Sequence, residues 1–415
     1  MSGIRVPRPF YGIYIVAACF VTLFFLWGMV LNTFPIFLKP ITEDMNWGRG
    51  ALTVGVLIAS LSSIPLFPVA GRIADRLGAK PIMLAGAFLV GMGLIVGSLS
   101  RELWHMYIAF FLIGCGIPCG TLIPCSFVIS NWFSARRGMA MGIAFSGIAL
   151  GGMVMAPVAN WIMLRYNWRT AWFVAGLEIF LLVSPVVFFV IRSRPSEMGL
   201  KPYRSPGATD DPDGEVWGVG VKEAFGIRAF WEIAGIFLIL GIVTGGVNYH
   251  CVAYLTDIGH VQTKATYAWS IAMGVMVPGQ LLCGPLADRW SARNAMAATC
   301  ALFLISVAVL MAAESYPIAI AFAALYGFAL GGGFVLGPLL TTEHLGLKNF
   351  GAIYGILNVM GTIGGGAIGP IVPGIYFDIH RTYLPVFYAF LFLMIVGVAL
   401  SVLIRPARRL SGPVS

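Results

Sequence analysis

A charged decapeptide, GRIADRLGAK (Gly71–Lys80), lies between two long apolar runs and returns as GPLADRWSAR (Gly284–Arg293), 213 positions later. The same ungapped offset relates Gly28 to Gly241, Pro65 to Pro278, Asp75 to Asp288 and Arg76 to Arg289. Further along it relates Gly114 to Gly327, Gly120 to Gly333, Gly138 to Gly351, Gly142 to Gly355, Gly151–Gly152 to Gly364–Gly365 and Pro157 to Pro370. One such match means little in a chain with 51 Gly and 24 Pro, but a series at one offset marks an internal duplication.

Each copy consists mainly of uncharged apolar runs of about 20 residues, long enough to span ~30 Å of hydrocarbon. Only 10% of the 415 residues are charged and 59% are hydrophobic, whereas a soluble chain carries roughly 25% charged residues. The ~10-residue alternating segments of a β-barrel do not occur. The expected fold is an all-α membrane protein with twelve transmembrane helices in two parallel six-helix repeats. The spans are expected at 11–38, 51–71, 81–99, 104–129, 139–164, 170–191, 230–255, 265–287, 295–313, 317–341, 351–376 and 383–404. Because six is even, both copies enter from the same side. The expected domains are an N-terminal bundle (1–191), a linker (192–228) and a C-terminal bundle with a short tail (229–415). Within the linker, Ser205–Glu215 (SPGATDDPDGE) is polar and expected to be mobile.

The net charge of +9 is spread over loops, which suits membrane orientation rather than a nucleic-acid face. Of the 26 basic residues, only Lys39, Arg49, Arg101, Arg165, Arg169, Lys264 and Arg381 fall in odd-numbered connections. Positive-inside counting therefore places both termini, the linker and both decapeptides in the cytoplasm of a cell (inner) membrane protein. The first span is expected to act as an uncleaved signal. All seven cysteines lie within spans without metal-ligand spacing, so they read as small buried residues, and no metal or cofactor is expected.

In the decapeptides, Gly71 and Gly284 allow close backbone approach where a span ends. Asp75 and Asp288 are expected near the start of the following helix, where the dipole favours a carboxylate. Arg76, Lys80, Arg289 and Arg293 can pair with carboxylates or lipid phosphate. Two such motifs at equivalent places suggest a gating latch; the alternative is positive-inside anchoring alone.

These decapeptides resemble the motif between helices 2–3 and 8–9 of the major facilitator superfamily. TEDMNWGRGALT (Thr42–Thr53), WFSARRGMAMGIAFSGIALGGMVMAP (Trp132–Pro157), NWRTAW (Asn167–Trp172) and RPSEMGLKP (Arg194–Pro202) are similar to bacterial monocarboxylate-transporter-like and oxalate/formate-antiporter-like members. The resemblance implies alternating access around a cavity lined by helices 1, 4, 7 and 10, small organic anions as substrates, and a monomer. Two departures stand out. Monocarboxylate transporters carry an Asp and an Arg in helix 8 where this chain has Met276 and Gln280, and Phe110 stands about where other members carry a helix-4 Arg.

The residues themselves point to the same helices. GCGIPCGTLIP (Gly114–Pro124), with Cys115 and Cys119, and YGFALGGGFVLGP (Tyr326–Pro338) are corresponding Gly/Pro-interrupted spans, either lining a cavity or packing tightly. Tyr354, Asn358 and Thr362 form one helical stripe. Asn32, Asn248, Tyr249, Gln280 and Tyr326 add mid-span polar groups, as ligand contacts or interhelical hydrogen bonds. Ionisable groups within spans are costly, at ~2.5–3.5 kcal/mol at a helix centre. Glu178 and His250 are therefore candidate coupling groups, and His250 also a candidate anion contact.

The expected function is a secondary active transporter of a small organic acid or monocarboxylate, with proton coupling as an open expectation. The alternatives are transport of a neutral metabolite or a non-transporting nutrient sensor. No GxxxxGK[ST] loop points to an ATP-driven pump. No HExxH, GxSxG or convergent His/Asp/Glu cluster points to an enzyme, and no filter or charged ring to a channel. The expected partners are the small-molecule substrate, protons and membrane lipid, without nucleic acid.

Overall fold

The computed structural model describes residues 10–30, 33–47, 49–203 and 217–404. They form α1 (Gly12–Gly28), α2 (Arg49–Leu77), α3 (Ala79–Ser98), α4 (Leu103–Trp132), α5 (Arg137–Arg165) and α6 (Trp168–Val190). The second half repeats the pattern with α7 (Arg228–Asp257), α8 (Gln262–Trp290), α9 (Ala292–Met311), α10 (Tyr316–Leu345), α11 (Phe350–Phe377) and α12 (Leu384–Leu403). Eleven of these are long and apolar enough to cross a membrane; α1 is shorter and is followed by the helix Phe34–Met45. The architecture is the expected all-α membrane fold. The stretch expected to be mobile, Ser205–Glu215, lies outside the described residues.

Glycines at equivalent places do equivalent packing. A Cβ on Gly28 would collide with Gly151, and one on Gly241 with the Gly361 carbonyl, so α1 lies on α5 as α7 lies on α11. A Cβ on Gly114 would overlap the Ala59 carbonyl and one on Gly327 the Ala272 carbonyl, so α4 seats on α2 as α10 seats on α8. Backbone contact of this kind replaces the hydrophobic drive that lipid cannot supply.

The halves meet through two further pairs of this type. Gly71 of α2 lies against Gly351 of α11, and Gly355 lies against the Phe67 carbonyl one turn further along. Gly284 of α8 lies against Gly138 of α5, and Gly142 against the Gln280 carbonyl. Higher up, α2 and α11 are less tightly apposed: a Cβ on Gly366 would meet Ser60 at 3.8 Å, an ordinary van der Waals contact. The backbones of the two halves are thus closest at the decapeptide end.

The expected helix ends at the decapeptides need correction. α2 and α8 do not stop at the expected positions 71 and 287 but run on to Leu77 and Trp290. IADRL and LADRW contain no helix breaker. The first positive-φ residues come later, at Gly78 (φ 86°) and Ser291 (φ 90°). Asp75 and Asp288 therefore sit in the last turn of a helix rather than near the start of the next.

Local irregularities border the interior. α4 is interrupted at Thr121 (φ −118°, ψ −116°), whereas α10 is continuous. Phe24–Met29, Ile179–Val183 and Gly364–Ile368 are π-helical turns, a form that recurs at functional sites. The linker ends are pinned symmetrically. Tyr203 N–H donates to the Trp132 carbonyl (2.9 Å) and Val219 N–H to that of Leu345 (3.1 Å), at positions one repeat apart. At the far end, Asp44 accepts from Trp168 Nε1 (2.9 Å) and pairs with Arg169. The hydrogen bonds from Trp168 and then Arg169 hold the Asp44 carboxyl below its usual range.

Candidate functional site: a cavity above two reciprocal latches

Each decapeptide carboxylate caps a helix of the opposite half. Asp75 Oδ1 accepts from Gly351 N–H (2.9 Å) and its Oδ2 from Ala352 N–H (2.9 Å), at the N-terminus of α11. Asp288 Oδ1 accepts from Gly138 N–H (2.9 Å) and its Oδ2 from Met139 N–H (3.0 Å), at the N-terminus of α5. Four otherwise unpaired donors are satisfied by two charges placed at positive dipole ends. Charge-assisted bonds of this kind are worth about 1.5–3 kcal/mol each. Gly71 and Gly284 bring the helices close enough for this reach.

The basic residues of the motifs lie elsewhere. Arg76 and Arg289 are exposed. Lys80 Nζ sits 4.5 Å from the centre of the Phe188 ring, and Arg293 donates to the Ile404 carbonyl (3.2 Å). The cations near the latches are instead Arg194, which donates to the Asp75 backbone carbonyl (3.0 Å), and Arg137, which donates to the Phe133 carbonyl (3.0 Å) within electrostatic reach of Asp288. Neither was singled out in the sequence. The donor helix ends, Gly138 and Gly351, were visible there only as an offset pair.

Immediately above the Phe67–Gly355 contact opens a cavity of ≈ 320 Å³. Trp27, Phe67 and Leu122 come from the N-terminal half. The second half contributes Phe237 and Thr244 from α7, Met296 and Phe303 from α9, Leu330 and Phe334 from α10, and the α11 stripe Tyr354, Asn358 and Thr362. Trp27 and Phe334 meet edge to face across the halves (centroids 5.8 Å). Gly361 and Gly366 keep the cavity wide, since a Cβ on either would find no neighbour closer than 3.7 Å. Among the described residues no Lys, Arg, Asp, Glu or His lines it.

Several cavity polar groups already have some of their hydrogens engaged. Asn358 Nδ2 donates to the Tyr354 carbonyl (2.7 Å) and Thr244 Oγ1 to that of Leu240 (2.7 Å). One layer out, the Tyr326 hydroxyl donates to Asn248 Oδ1 (2.6 Å). Ser126 stands beside Tyr354, but its Oγ is buried without a hydrogen-bond partner.

The remaining sequence candidates that are described lie off the cavity lining. Asn32 is outside the described residues. Tyr249 is exposed. Cys119 is buried and Cys115 half-buried, on a helix whose glycines pack against α2 and α3. All seven cysteines are free. His250 Nε2 is 2.8 Å from the Pro370 carbonyl and Nδ1 3.3 Å from the Tyr383 hydroxyl. A carbonyl only accepts, so Nε2 carries the hydrogen and the ring ties α7 to α11 and the start of α12. Glu178 sits just before the α6 π turn, with Oε2 buried and no protein partner. Gln280 is fully buried with both amide atoms unpartnered, its backbone touching Gly142 of α5 and Gly331 of α10. The lining aromatics were missed because one aromatic in an apolar span gives no periodic signal.

The sequence profile of the Major Facilitator Superfamily matches residues 16–366 and 262–414. Monocarboxylate transporter 13 of Rattus norvegicus is 24% identical over 341 residues, covering 80% of this chain and 73% of its own. MFS-type transporter 1 of an Ophiocordyceps species is 29% identical over 355 residues, covering 82% and 73%. Among solved structures, the human organic anion transporter MFSD10 (TETRAN) superposes with a TM-score of 0.73 at 15% identity, covering 94% of this chain and 99% of its own. FucP, a Major Facilitator Superfamily transporter solved in the outward conformation, gives a TM-score of 0.66 at 16% identity, covering 95% and 100%.

Proposed function

Because the chain belongs to the Major Facilitator Superfamily, we propose that it is a secondary active transporter that moves a small organic acid by alternating access. The observation that carries this reading is the cavity between the halves, shut at one end by the two Asp-to-helix latches. Breaking both latches would let α2–α11 and α5–α8 part and expose the cavity at the decapeptide end. Positive-inside counting puts that end in the cytoplasm. The kinship with monocarboxylate transporters favours an acid as substrate.

A second reading, a neutral solute, is favoured by the uncharged lining. Both readings meet in one experiment. Purified full-length protein in liposomes is tested for saturable counterflow of short monocarboxylic acids and of matched neutral amides. Saturable flux of the acids, lost when Asn358 is replaced by Leu, is the expected result. Flux of neutral solutes alone would select the second reading, and saturable flux of neither would reject transport of both classes.

A further inference from the structure

The site's own chemistry restricts the charge state of what it holds. An anion entering a cavity without a cation loses its hydration and gains only neutral dipoles in return. Here even those dipoles are partly engaged: one Asn358 amide hydrogen is bonded to the Tyr354 carbonyl, and the Thr244 hydroxyl hydrogen to that of Leu240. Beside the donors of Trp27, Tyr354 and Thr362, the lining offers a ligand acceptors, Asn358 Oδ1 and the Thr244 oxygen lone pairs. A carboxylate is acceptor-only and cannot use them, whereas an undissociated carboxyl or a primary amide brings its own donor. The rest of the wall, including Trp27, Phe237, Phe303 and Phe334, suits an apolar tail.

We propose that the cavity carries its ligand uncharged: a monocarboxylic acid binds only as the undissociated acid, and its primary amide binds at the same place. The proposal rests on the transporter reading above and adds to it the species carried. The acid takes its proton from water on one side and releases it on the other, so one proton accompanies each acid molecule. No protein side chain then needs to gain or lose a proton. Tyr354 is the sole ionisable group of the described lining, and a phenol is neutral at ordinary pH. Behind the lining stand Tyr326, Cys251, Cys283 and Cys300 on α7 to α10, each buried. His250 is engaged by Pro370 and Tyr383, and Glu178 lies off the lining on α6.

The test is calorimetric titration of the detergent-purified full chain with aliphatic acids of four to eight carbons, their primary amides and the matching sulfonates. The expected acid affinity falls about tenfold per pH unit between about pH 6 and 8, with one proton taken up per acid bound, while amide affinity stays constant. An acid with a pKa about two units lower should bind about 100-fold more weakly at the same pH. The sulfonates should not bind. Tight sulfonate binding, or acid affinities that ignore the acid's own pKa, would overturn the uncharged-ligand proposal while leaving transport standing. Binding of none of the three series would overturn the acid-transport reading and this proposal with it.

Discussion

Asp75 and Asp288 each hold two backbone N–H groups of the opposite half, so their charge and both oxygens are in use at once. An Asn in either place keeps one acceptor but turns an N–H₂ towards the second backbone donor. For Asp288→Asn the loss should be about 1–3 kcal/mol from the latched state, roughly 5- to 150-fold in the ratio of latched to open molecules. Spin labels at the exposed positions Arg76 and Arg289 would report this as growth of a longer-distance population. An unchanged distance distribution would mean that the glycine contacts alone hold the end shut. At this scale the sequence was half informative. It singled out the carboxylates, but their partners are donors 276 and 150 positions away along the chain, set by tertiary docking and not by spacing.

Among the elements, the offset of 213 carried far more than the presence of two copies. Gly28 with Gly241, Gly114 with Gly327 and Gly138 with Gly351 each make the same helix-to-helix contact in both halves. A backbone contact needs a residue without Cβ, so sequence recorded it directly. Helix ends were less legible, because α2 and α8 continue through a charged motif that reads as a loop. Side-chain direction was not legible at all. Gln280, Asn358 and His250 are all mid-span polar residues, yet only Asn358 lines the cavity, while His250 joins three helices and Gln280 is sealed between α5, α8 and α10. The buried Gln280 amide should cost about 1–3 kcal/mol as it stands. Gln280→Met keeps the shape and removes that cost, so the melting temperature in detergent should rise. A fall would show that the amide is hydrogen-bonded and holds this junction together. Gln280→Arg is not expected to create an acid site, since the added charge would sit outside the cavity.

Across the whole molecule, two halves share one apolar cavity, and the glycine contacts of Gly71 with Gly351 and Gly138 with Gly284 join them below it. Opening at the decapeptide end would have to separate Gly71, Gly138, Gly284 and Gly351 together with both carboxylate contacts. The looser contact at Ser60 and Gly366, where an added Cβ would fit at 3.8 Å, favours access from the other end. The most direct measurement is the labelling of a single cysteine at Thr362, on a background with the native cysteines replaced, by a membrane-impermeant thiol reagent. It is applied from each side of the membrane, with and without Asp75→Asn and Asp288→Asn together. The expected result is labelling from the side opposite the decapeptides in the latched protein, with labelling from the decapeptide side appearing only when the two carboxylates are replaced. Labelling from the decapeptide side in the latched protein, or no change on replacement, would contradict a cavity gated by reciprocal Asp-to-helix latches.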